Sequence, residues 1–298
     1  MELGGTFGSE LLAAACADAD PASLRHVAEI PARGAVARPW PDWVDEAVVT
    51  ALQARGISQP WSHQVEAADL ARSGHDVVVS TGTASGKSLA FQLPILDALD
   101  RDPRARALYL SPTKALGHDQ LRAANALTTA VSGLADAAPT SYDGDTADEV
   151  RRFARERSRW LFSNPDMIHL SLLRNHARWS VFLRGLRYVV VDECHHYRGI
   201  FGSNVAMVLR RLLRLCDRYA AADSAGPTVI FASATTAEPG ATAAELIGRP
   251  VAEVTTDGSP HGARTIALWE PRLRDDVVGE NGAPVRRSAG SETARMMA

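Results

Sequence analysis

Residues 77–88 decide the fold of this chain, and they read Val77-Val78-Val79-Ser80-Thr81-Gly82-Thr83-Ala84-Ser85-Gly86-Lys87-Ser88. The short valine run is typical of a parallel strand that is buried on both faces. A helical pattern over Ser88–Leu99 follows directly. Glycines between a strand and a helix let the backbone curl, so that its N–H groups and the positive end of the helix face an anion. The stretch therefore predicts a phosphate-binding loop.

The loop assigns roles to individual side chains. Lys87 is expected to reach the β- and γ-phosphates of a bound nucleotide, and the Ser88 hydroxyl is expected to bind Mg²⁺. The strict pattern G-x-x-x-x-G-K-[ST] starts with glycine where this chain has Thr81, but Gly82 and Gly86 keep the loop flexible. An unrelated glycine-rich turn is the alternative, and the flanking strand and helix disfavour it. The predicted ATP-binding residues of the loop are Thr81, Gly82, Thr83, Ala84, Ser85, Gly86, Lys87 and Ser88.

Further apolar runs alternate with helical patterns along the chain. This alternation predicts an α/β fold with a doubly wound, mostly parallel sheet and helices on both faces. Sheets of this kind bind their ligands at the carboxyl ends of the strands. The predicted strands are Asp76–Ser80, Ala107–Leu110, Trp160–Ser163, Tyr188–Val191 and Thr228–Ala232, and the intervening helical patterns include Lys114–Thr129 and Asn204–Tyr219.

An acidic pair follows the fourth apolar run, in the sequence Asp192-Glu193-Cys194-His195. Two carboxylates at a strand end, beside a phosphate loop, have separate roles. Asp192 is expected to hold Mg²⁺, usually through water, and Glu193 to orient and deprotonate the attacking water. A solvated acidic turn is the alternative, and the phosphate loop upstream disfavours it.

Lysine is rare in this chain: of the 32 basic residues, only Lys87 and Lys114 are lysines. The bias toward arginine is typical of a GC-rich genome. A lysine that persists in such a background marks a place where a compact ammonium is needed rather than a planar guanidinium. Both lysines fall inside motifs, Lys87 in the phosphate loop and Lys114 in the stretch Ser111–Leu116.

A third apolar strand ends at Ser233-Ala234-Thr235, which completes an ordered set of motifs. With this set the sequence resembles superfamily 2 helicases of the DExH type, with motif I at 81–88, motif II at 192–195 and motif III at 233–235. In detail, the motif sequences resemble those of the Lhr-related bacterial branch, which includes the YprA-like or mitomycin-repair-factor (MrfA-like) DNA helicases. Threonine is usual in that branch at the place of Thr81. The segments that carry this resemblance are Ser80–Ser88, Ser111-Pro112-Thr113-Lys114-Ala115-Leu116, Asn164-Pro165-Asp166-Met167, and Asp192–Gly199 with Phe201-Gly202.

The resemblance implies a RecA-like P-loop domain with a small helical N-terminal extension, which binds ATP and Mg²⁺ and drives movement on nucleic acid. It implies single-stranded DNA rather than RNA, a 3′-to-5′ direction and a role in DNA repair. Gln64 would read the adenine edge, because an amide donates and accepts at once. Trp61 is a candidate for stacking on the base, with ordinary packing as the alternative. The implied contacts to the nucleic-acid backbone are Pro112, Thr113, Lys114, Asn164 and Pro165, and the implied coupling residues are Ser233, Thr235 and His195.

The domain organisation follows from these assignments. We expect an N-terminal extension at 1–60, the ATP-binding domain at 61–256, a loop or linker at 257–290, and the start of a second RecA-like domain at 291–298, with Ser291 as a helix cap. Family members need that second domain, whose arginines complete the ATP site. Because the pattern Gln-x-x-Gly-Arg-x-x-Arg does not occur here, we expect the chain to be a fragment.

Composition narrows the function classes. The net charge of −3 means that any nucleic-acid site is a local basic groove. The three cysteines form neither a disulfide framework nor a zinc pattern, and the N-terminus lacks a secretory signal. The expected compartment is the cytoplasm, without membrane association. Three alternatives stay open: another P-loop enzyme such as a kinase or GTPase, an RNA-directed DExH ATPase, and a nucleotide- or nucleic-acid-binding fragment without turnover of its own.

Overall fold

Parallel strands form the centre of the structure, a computed structural model that describes residues 8–17, 21–220 and 226–297. Within these residues the strands are β1 (Leu24–Ile30), β2 (Val77–Ser80), β3 (Arg106–Leu110), β4 (Thr140–Ser141), β5 (Trp160–Ser163), β6 (Leu186–Val191), β7 (Thr228–Ser233), β8 (Ala252–Val254), β9 (Arg264–Trp269), β10 (Leu273–Val278) and β11 (Pro284–Arg286).

The α-helices of the described residues are α1 (Ser9–Cys16), α2 (Glu46–Ala54), α3 (Ser62–Arg72), α4 (Ser88–Arg101), α5 (Lys114–Ala130), α6 (Asp148–Glu156), α7 (Pro165–Met167), α8 (Ser180–Gly185), α9 (Gly199–Tyr219), α10 (Pro239–Ile247) and α11 (Ala289–Met297). A π-helical turn, Ile168–Leu173, continues from α7. None of these helices is both long and apolar enough to cross a membrane.

Seven strands form one parallel sheet in the order β4-β5-β3-β6-β7-β2-β8. All five predicted strands belong to it, and the predicted doubly wound α/β fold is confirmed. Because the strands are parallel, their carboxyl ends lie along a single edge of the sheet. The ends of β2 and β6 flank the end of β7, so motifs I, III and II are neighbours along that edge.

The alternation of side chains along each strand builds two apolar cores, one on each face of the sheet. Val77 and Val79 of β2 enter one core, together with side chains from α2, α3, α4 and α5. Val78 enters the other core, together with side chains from α8, α9 and α10. Burial on both faces explains why the strands are continuous apolar runs rather than alternating ones.

Helix α9 shows how an amphipathic sequence covers one of these cores. Its buried residues include Val205, Leu209, Leu212 and Cys216, which follow one another at intervals of three or four. The opposite face carries exposed polar and charged side chains such as Arg210 and Arg214, but also the exposed apolar residues Ile200, Phe201 and Met207.

The chain divides into two compact units, residues 36–259 and residues 1–35 with 260–298. Residues 36–60 therefore belong to the larger unit rather than to the expected extension. The reason is packing, because Val48 and Leu52 of α2 are buried in the core of that unit.

The smaller unit differs from the expected helical extension and linker. Strand β1 pairs antiparallel with β9, so that Val27 lies opposite Ala267, and β10 pairs with β11. The prediction of a loop or linker at 257–290 is wrong, because β9, β10 and β11 lie within it; the Gly, Pro and charged residues of this stretch make the three short strands hard to recognise in the sequence. Helix α11 begins before Ser291, and the Ser288 hydroxyl accepts the N–H of Ser291 at 3.2 Å.

Candidate functional site

The phosphate loop joins β2 to α4 at the carboxyl edge of the sheet. Gly86 has a left-handed backbone, with φ of 67°. A Cβ atom there would lie 2.6 Å from the side-chain nitrogen of Gln64, so the position requires glycine. The Lys87 ammonium donates to the carbonyl oxygens of Thr81 and Gly82, at 3.2 and 2.9 Å. These two hydrogen bonds hold the Lys87 side chain against the start of the loop.

The other loop residues divide into an inner and an outer set. Thr81 and Ser85 are buried, and their hydroxyl oxygens are 2.6 Å apart. Thr83 and Ala84 are exposed at the tip of the loop, where Ala84 has a φ of 62°. The inner pair fastens the two ends of the loop to each other, while the tip is open to a ligand.

Two side chains at the start of α3 orient consecutive peptide units of the loop. His63 is fully buried, and its Nε2 lies 2.9 Å from the carbonyl oxygen of Ser85. Gln64 donates its side-chain amide to the carbonyl oxygen of Gly86, also at 2.9 Å. In a planar trans peptide the N–H points away from the C=O. Turning these two carbonyls toward α3 therefore turns the N–H groups of Gly86 and Lys87 outward, where a phosphate can accept them.

The predicted adenine contact through Gln64 is not tested by this geometry. Its Oε1 accepts the backbone N–H of Trp61 at 2.7 Å, while its Nε2 is bonded to the loop. Both ends of the amide are thus in use, and the side chain is buried. What the structure assigns to Gln64 is the support of the phosphate loop.

The acidic pair lies at the end of β6. The Tyr109 hydroxyl donates to Oδ2 of Asp192, and the N–H of Glu193 donates to Oδ1 at 2.9 Å. Burial raises the pKa of Asp192, although these two donors oppose the shift. Burial also lowers the pKa of Lys87, against the attraction of Glu193, Asp192 and Asp257. One cation and three carboxylates therefore share a partly dehydrated space.

Glu193 is connected to motif III through His195. Glu193 has a φ of 48°, and its Oε2 lies 3.2 Å from Nδ1 of His195. The N–H of Ala234 donates to the same Nδ1 at 3.3 Å. The Ala234 carbonyl in turn accepts the hydroxyls of Ser233 and Ser80, at 2.8 and 3.0 Å. Burial lowers the pKa of His195. These contacts form a continuous path from the acidic pair to the strand that precedes the phosphate loop.

Of the predicted coupling residues, Ser233 lies in this path, and its hydroxyl is 3.5 Å from the His195 ring. Thr235 is exposed at the end of the motif. The structure thus brings two of the three coupling residues together.

The predicted Mg²⁺ ligands supply oxygen donors of the kind that this ion prefers. The Ser88 hydroxyl accepts the side-chain amide of Gln120 at 2.8 Å, which orients it, and the buried carboxylate of Asp192 supplies the charge. A second group, Glu193, His195 and His196, holds its ligand atoms within 4.8 Å of one another. Two imidazoles suit a transition metal rather than Mg²⁺.

The predicted nucleic-acid contacts lie at the ends of β3 and β5. The Thr113 hydroxyl accepts the N–H of Leu116 at 3.4 Å and caps α5. The Asn164 side chain accepts the N–H of Met167 at 2.9 Å and caps α7. Pro112 is half-buried and Pro165 is buried behind these caps. Residues of both motifs line one small cleft: Ser111, Thr113, Lys114, Gly117, His118, Ser141, Asp143, Phe162, Ser163 and Asn164.

Lys114 is exposed in this cleft and forms an ion pair with Asp145. Hydrogen bonding to that carboxylate raises the pKa of Lys114. Asp143 lies in the same turn; partial burial opposes its ionisation, but the N–H of Asp145 and the Ser141 and Thr146 hydroxyls hold the Asp143 pKa below its usual value. A phosphate group at Lys114 therefore has to compete with an acidic turn that sequence reasoning overlooked.

Sequence reasoning also missed four residues of the nucleotide site. Tyr109 lies in a predicted strand and Gln120 in a predicted helix, where neither position stands out in the sequence. Asp257, whose carboxylate would lie 3.1 Å from a Cβ atom on Gly82, fell in the expected linker. Only His63, next to Gln64 in the sequence, carried a signal that could have been used.

Comparison with known proteins bears on this geometry. A model of the family described as DEAD/DEAH box helicase matches residues 61–242. The chain is 38% identical over 264 residues to the ATP-dependent helicase YprA of Bacillus subtilis, and the match covers 89% of this chain and 34% of that protein. It is 42% identical over 229 residues to the ATP-dependent helicase HRQ1 of Saccharomyces cerevisiae, covering 74% of this chain and 21% of the yeast protein.

A solved structure shows the same fold. The helicase MrfA bound to DNA and AMPPNP is 35% identical, with a TM-score of 0.84 over 97% of this chain and 38% of that chain. This chain thus spans about a third of the length of YprA and MrfA. These similarities confirm the RecA-like fold and agree with the predicted Lhr-related branch. The matched family model, the identity to YprA and the geometry that joins the motifs show that the chain belongs to the DEAD/DEAH box helicase family.

Proposed function

We propose that this chain is the ATP-binding motor domain of an ATP-dependent DNA helicase or translocase. The observation that carries the proposal is the arrangement of Lys87, Asp192 and Glu193 around one partly dehydrated space, with the motif III path leading away from it. The cleft with Lys114 lies along the same edge of the sheet.

In the proposed reaction, the outward N–H groups of the phosphate loop and the Lys87 ammonium bind the phosphates of ATP. Mg²⁺ held at Ser88 and Asp192 would neutralise negative charge on the phosphates. Glu193 orients the attacking water and accepts its proton. The contact between Glu193 and His195 transmits the state of that carboxylate to Ser233, which is the proposed route from nucleotide to domain movement.

The proposed track is single-stranded DNA, bound through its phosphates at the cleft between α5 and α7. The relative that supports this choice is MrfA, whose structure was determined with DNA. The N-terminus of α5, capped by Thr113, provides backbone N–H groups for phosphates, and Lys114 provides charge. The proposal also includes a 3′-to-5′ direction of movement and a role in DNA repair, and both rest only on the resemblance to the Lhr-related branch.

A second RecA-like domain is the proposed partner in catalysis. An arginine supplied by a facing element stabilises charge in phosphoryl transfer and is worth roughly 10³–10⁵ in rate. We therefore expect these 298 residues by themselves to bind ATP weakly, to hydrolyse it slowly and not to unwind a duplex.

Titration calorimetry with ATP and Mg²⁺ tests the proposal, with Lys87→Ala as the variant and Arg218→Ala, on the exposed face of α9, as the control. Loss of a charged hydrogen-bond partner predicts a fall in affinity of about 10- to 100-fold. Parallel titrations with single-stranded DNA, duplex DNA and RNA compare the tracks. Equal ATP affinity in a folded Lys87→Ala variant would contradict the phosphate-loop assignment, and a preference for RNA would contradict the proposed track.

A further inference from the structure

A second concave surface adjoins the cleft of the proposed nucleic-acid site, and it has no role in the proposed reaction. This cavity of about 540 Å³ lies between the α7 turn and α9, with Pro165 on one wall and Phe201 and Met207 on the other. Pro165 follows Asn164, the residue that caps α7 in the proposed track. The linings of the two surfaces therefore come within one residue of each other at α7.

The cavity combines an aromatic face with positive charge. Phe201 is 46% exposed, and its ring is 5.7 Å from that of Tyr197, which supports it from behind. Arg211 and Arg214 line the far end, one helical turn apart on α9. Among residues 8–17, 21–220 and 226–297, neither arginine is in an ion pair. The lining has two arginines against a single carboxylate, Asp166.

These features match what a single strand requires. Sequence-independent sites bind a strand by stacking bases on aromatic side chains beside a positive groove that follows the phosphates. A volume of this order is that of a small-ligand site, and because the lining extends about 20 Å along α9 it suits a short stretch of strand. A surface that binds an apolar protein segment would gain little affinity from two guanidinium groups at its end. The two arginines therefore favour nucleic acid as the occupant.

Resting on the proposed function, we infer that the cavity is an additional nucleotide-binding subsite for the single strand, beyond the phosphates held near Lys114 and Asn164. A base stacks on Phe201, and a phosphate a few nucleotides further along the strand lies at Arg214, with Arg211 beside it, because 13 residues of α9 separate Phe201 from Arg214 by about 20 Å. Arg211 is kept in place by its hydrogen bond to the carbonyl oxygen of Leu173, at 3.3 Å. The subsite binds by stacking and charge, so it does not depend on base identity.

The test is a length series of fluorescently labelled oligothymidylates, from about 4 to about 16 nucleotides, with affinity measured by anisotropy. The variants are Phe201→Ala and Arg214→Ala, and the matched control is Arg218→Ala on the next turn of α9. Short oligomers should bind all proteins equally. Once a strand is long enough to reach the subsite, the wild-type chain and the control should gain about tenfold in affinity, and the two variants should not.

A second readout does not depend on losing a side chain. In Phe201→Trp the new indole should be quenched by long oligomers and not by short ones, because stacking requires the strand to reach it. Length profiles equal to those of the wild-type chain in both variants would overturn the subsite. Equal losses at every length would also overturn it. Failure of the wild-type chain to bind any oligomer would refute the proposed function itself.

Discussion

The carboxyl edge of the sheet has two halves that are built in different ways. The ends of β6, β7 and β2 form the half that is proposed to bind nucleotide, called the nucleotide half. The ends of β4, β5 and β3 form the half that is proposed to bind a nucleic-acid strand, called the strand half. In the nucleotide half the polar side chains are buried and bonded to one another, as Thr81, Ser85 and Asp192 illustrate. In the strand half Lys114 is exposed, and its partner Asp145 is 80% exposed.

The difference suits the ligand that is proposed for each half. Transfer of a phosphoryl group depends on fixed positions and on charges that act in a water-poor space, where electrostatic interactions are stronger. A nucleic acid along which the domain moves has to be held by contacts that water and salt can replace. An exposed ion pair contributes little to stability and is screened by salt, so a phosphate can displace Asp145 from Lys114. Substitutions in the two halves, ordered from the largest expected effect to the smallest, test this contrast.

The largest effect is expected for Glu193→Gln. The change keeps the shape of the side chain but removes the base, so hydrolysis of ATP in the presence of the proposed second RecA-like domain should slow by roughly 10²–10⁴ while ATP binding is retained. The matched control is Glu238→Gln, because Glu238 has a similar left-handed backbone, with φ of 46°, and is exposed. Hydrolysis at the wild-type rate would show that Glu193 is not the base.

A smaller effect is expected for His63→Ala. Loss of the imidazole leaves the buried carbonyl of Ser85 without its partner and frees the peptide that presents the Gly86 N–H. Affinity for ATP and ADP should fall about tenfold, whereas that for adenosine should not change. The control is the exposed His75→Ala. An equal loss for adenosine would mean that the variant has damaged the whole site rather than the orientation of the loop.

Asp192→Asn should stabilise the fold while it weakens binding of ATP with Mg²⁺. Burial raises the pKa of Asp192 in the folded chain, so the ionised carboxylate costs stability at neutral pH. The free energy of unfolding should rise by about 0.5–2 kcal/mol. The gain should be largest above the raised pKa and should shrink as pH falls toward the ordinary aspartate pKa, because the folded wild-type chain then takes up the proton first.

Urea denaturation between about pH 5 and 8 measures this effect, and Asp166→Asn, at an exposed site, is the control. A destabilised Asp192→Asn chain would mean that the donors Tyr109 and the N–H of Glu193 more than offset the cost of burying the charge.

The smallest effect is expected in the strand half. Lys114→Ala should weaken binding of single-stranded DNA a few-fold, equally for all sequences, and should reduce the salt dependence by about one phosphate contact. Asp145→Asn removes the competing carboxylate and should change affinity in the opposite direction. Anisotropy titrations over a range of salt concentrations test both variants. A loss that depends on base sequence would contradict the assignment of Lys114 to the backbone.

Predictability also differs between the two halves. The strands and motifs of the nucleotide half could be located from the sequence, because they are short peptides that follow apolar strands and leave a local signal; the roles of their side chains stay predictions. The strand half was predicted from family resemblance, and the acidic turn with Asp143 and Asp145 was overlooked because nothing in a short loop shows which strand end it will adjoin. The pairing of β1 with β9 escaped prediction for a related reason, since its two partners are distant along the chain.

By itself the sequence determined the α/β class and the strands that carry motifs I, II and III, and it singled out Lys87, Ser88, Asp192 and Glu193 as candidates whose roles stay predictions. These follow from local rules, since a valine run, a glycine loop and an acidic pair need no distant partner to be recognised. Only the tertiary structure decided that Tyr109 would donate to Asp192, that Gln120 would orient Ser88, and that His63 would turn the Ser85 carbonyl away from the phosphates. Those partners depend on the order of strands in the sheet and on how the helices pack over it, which side-chain periodicity within a single element does not specify.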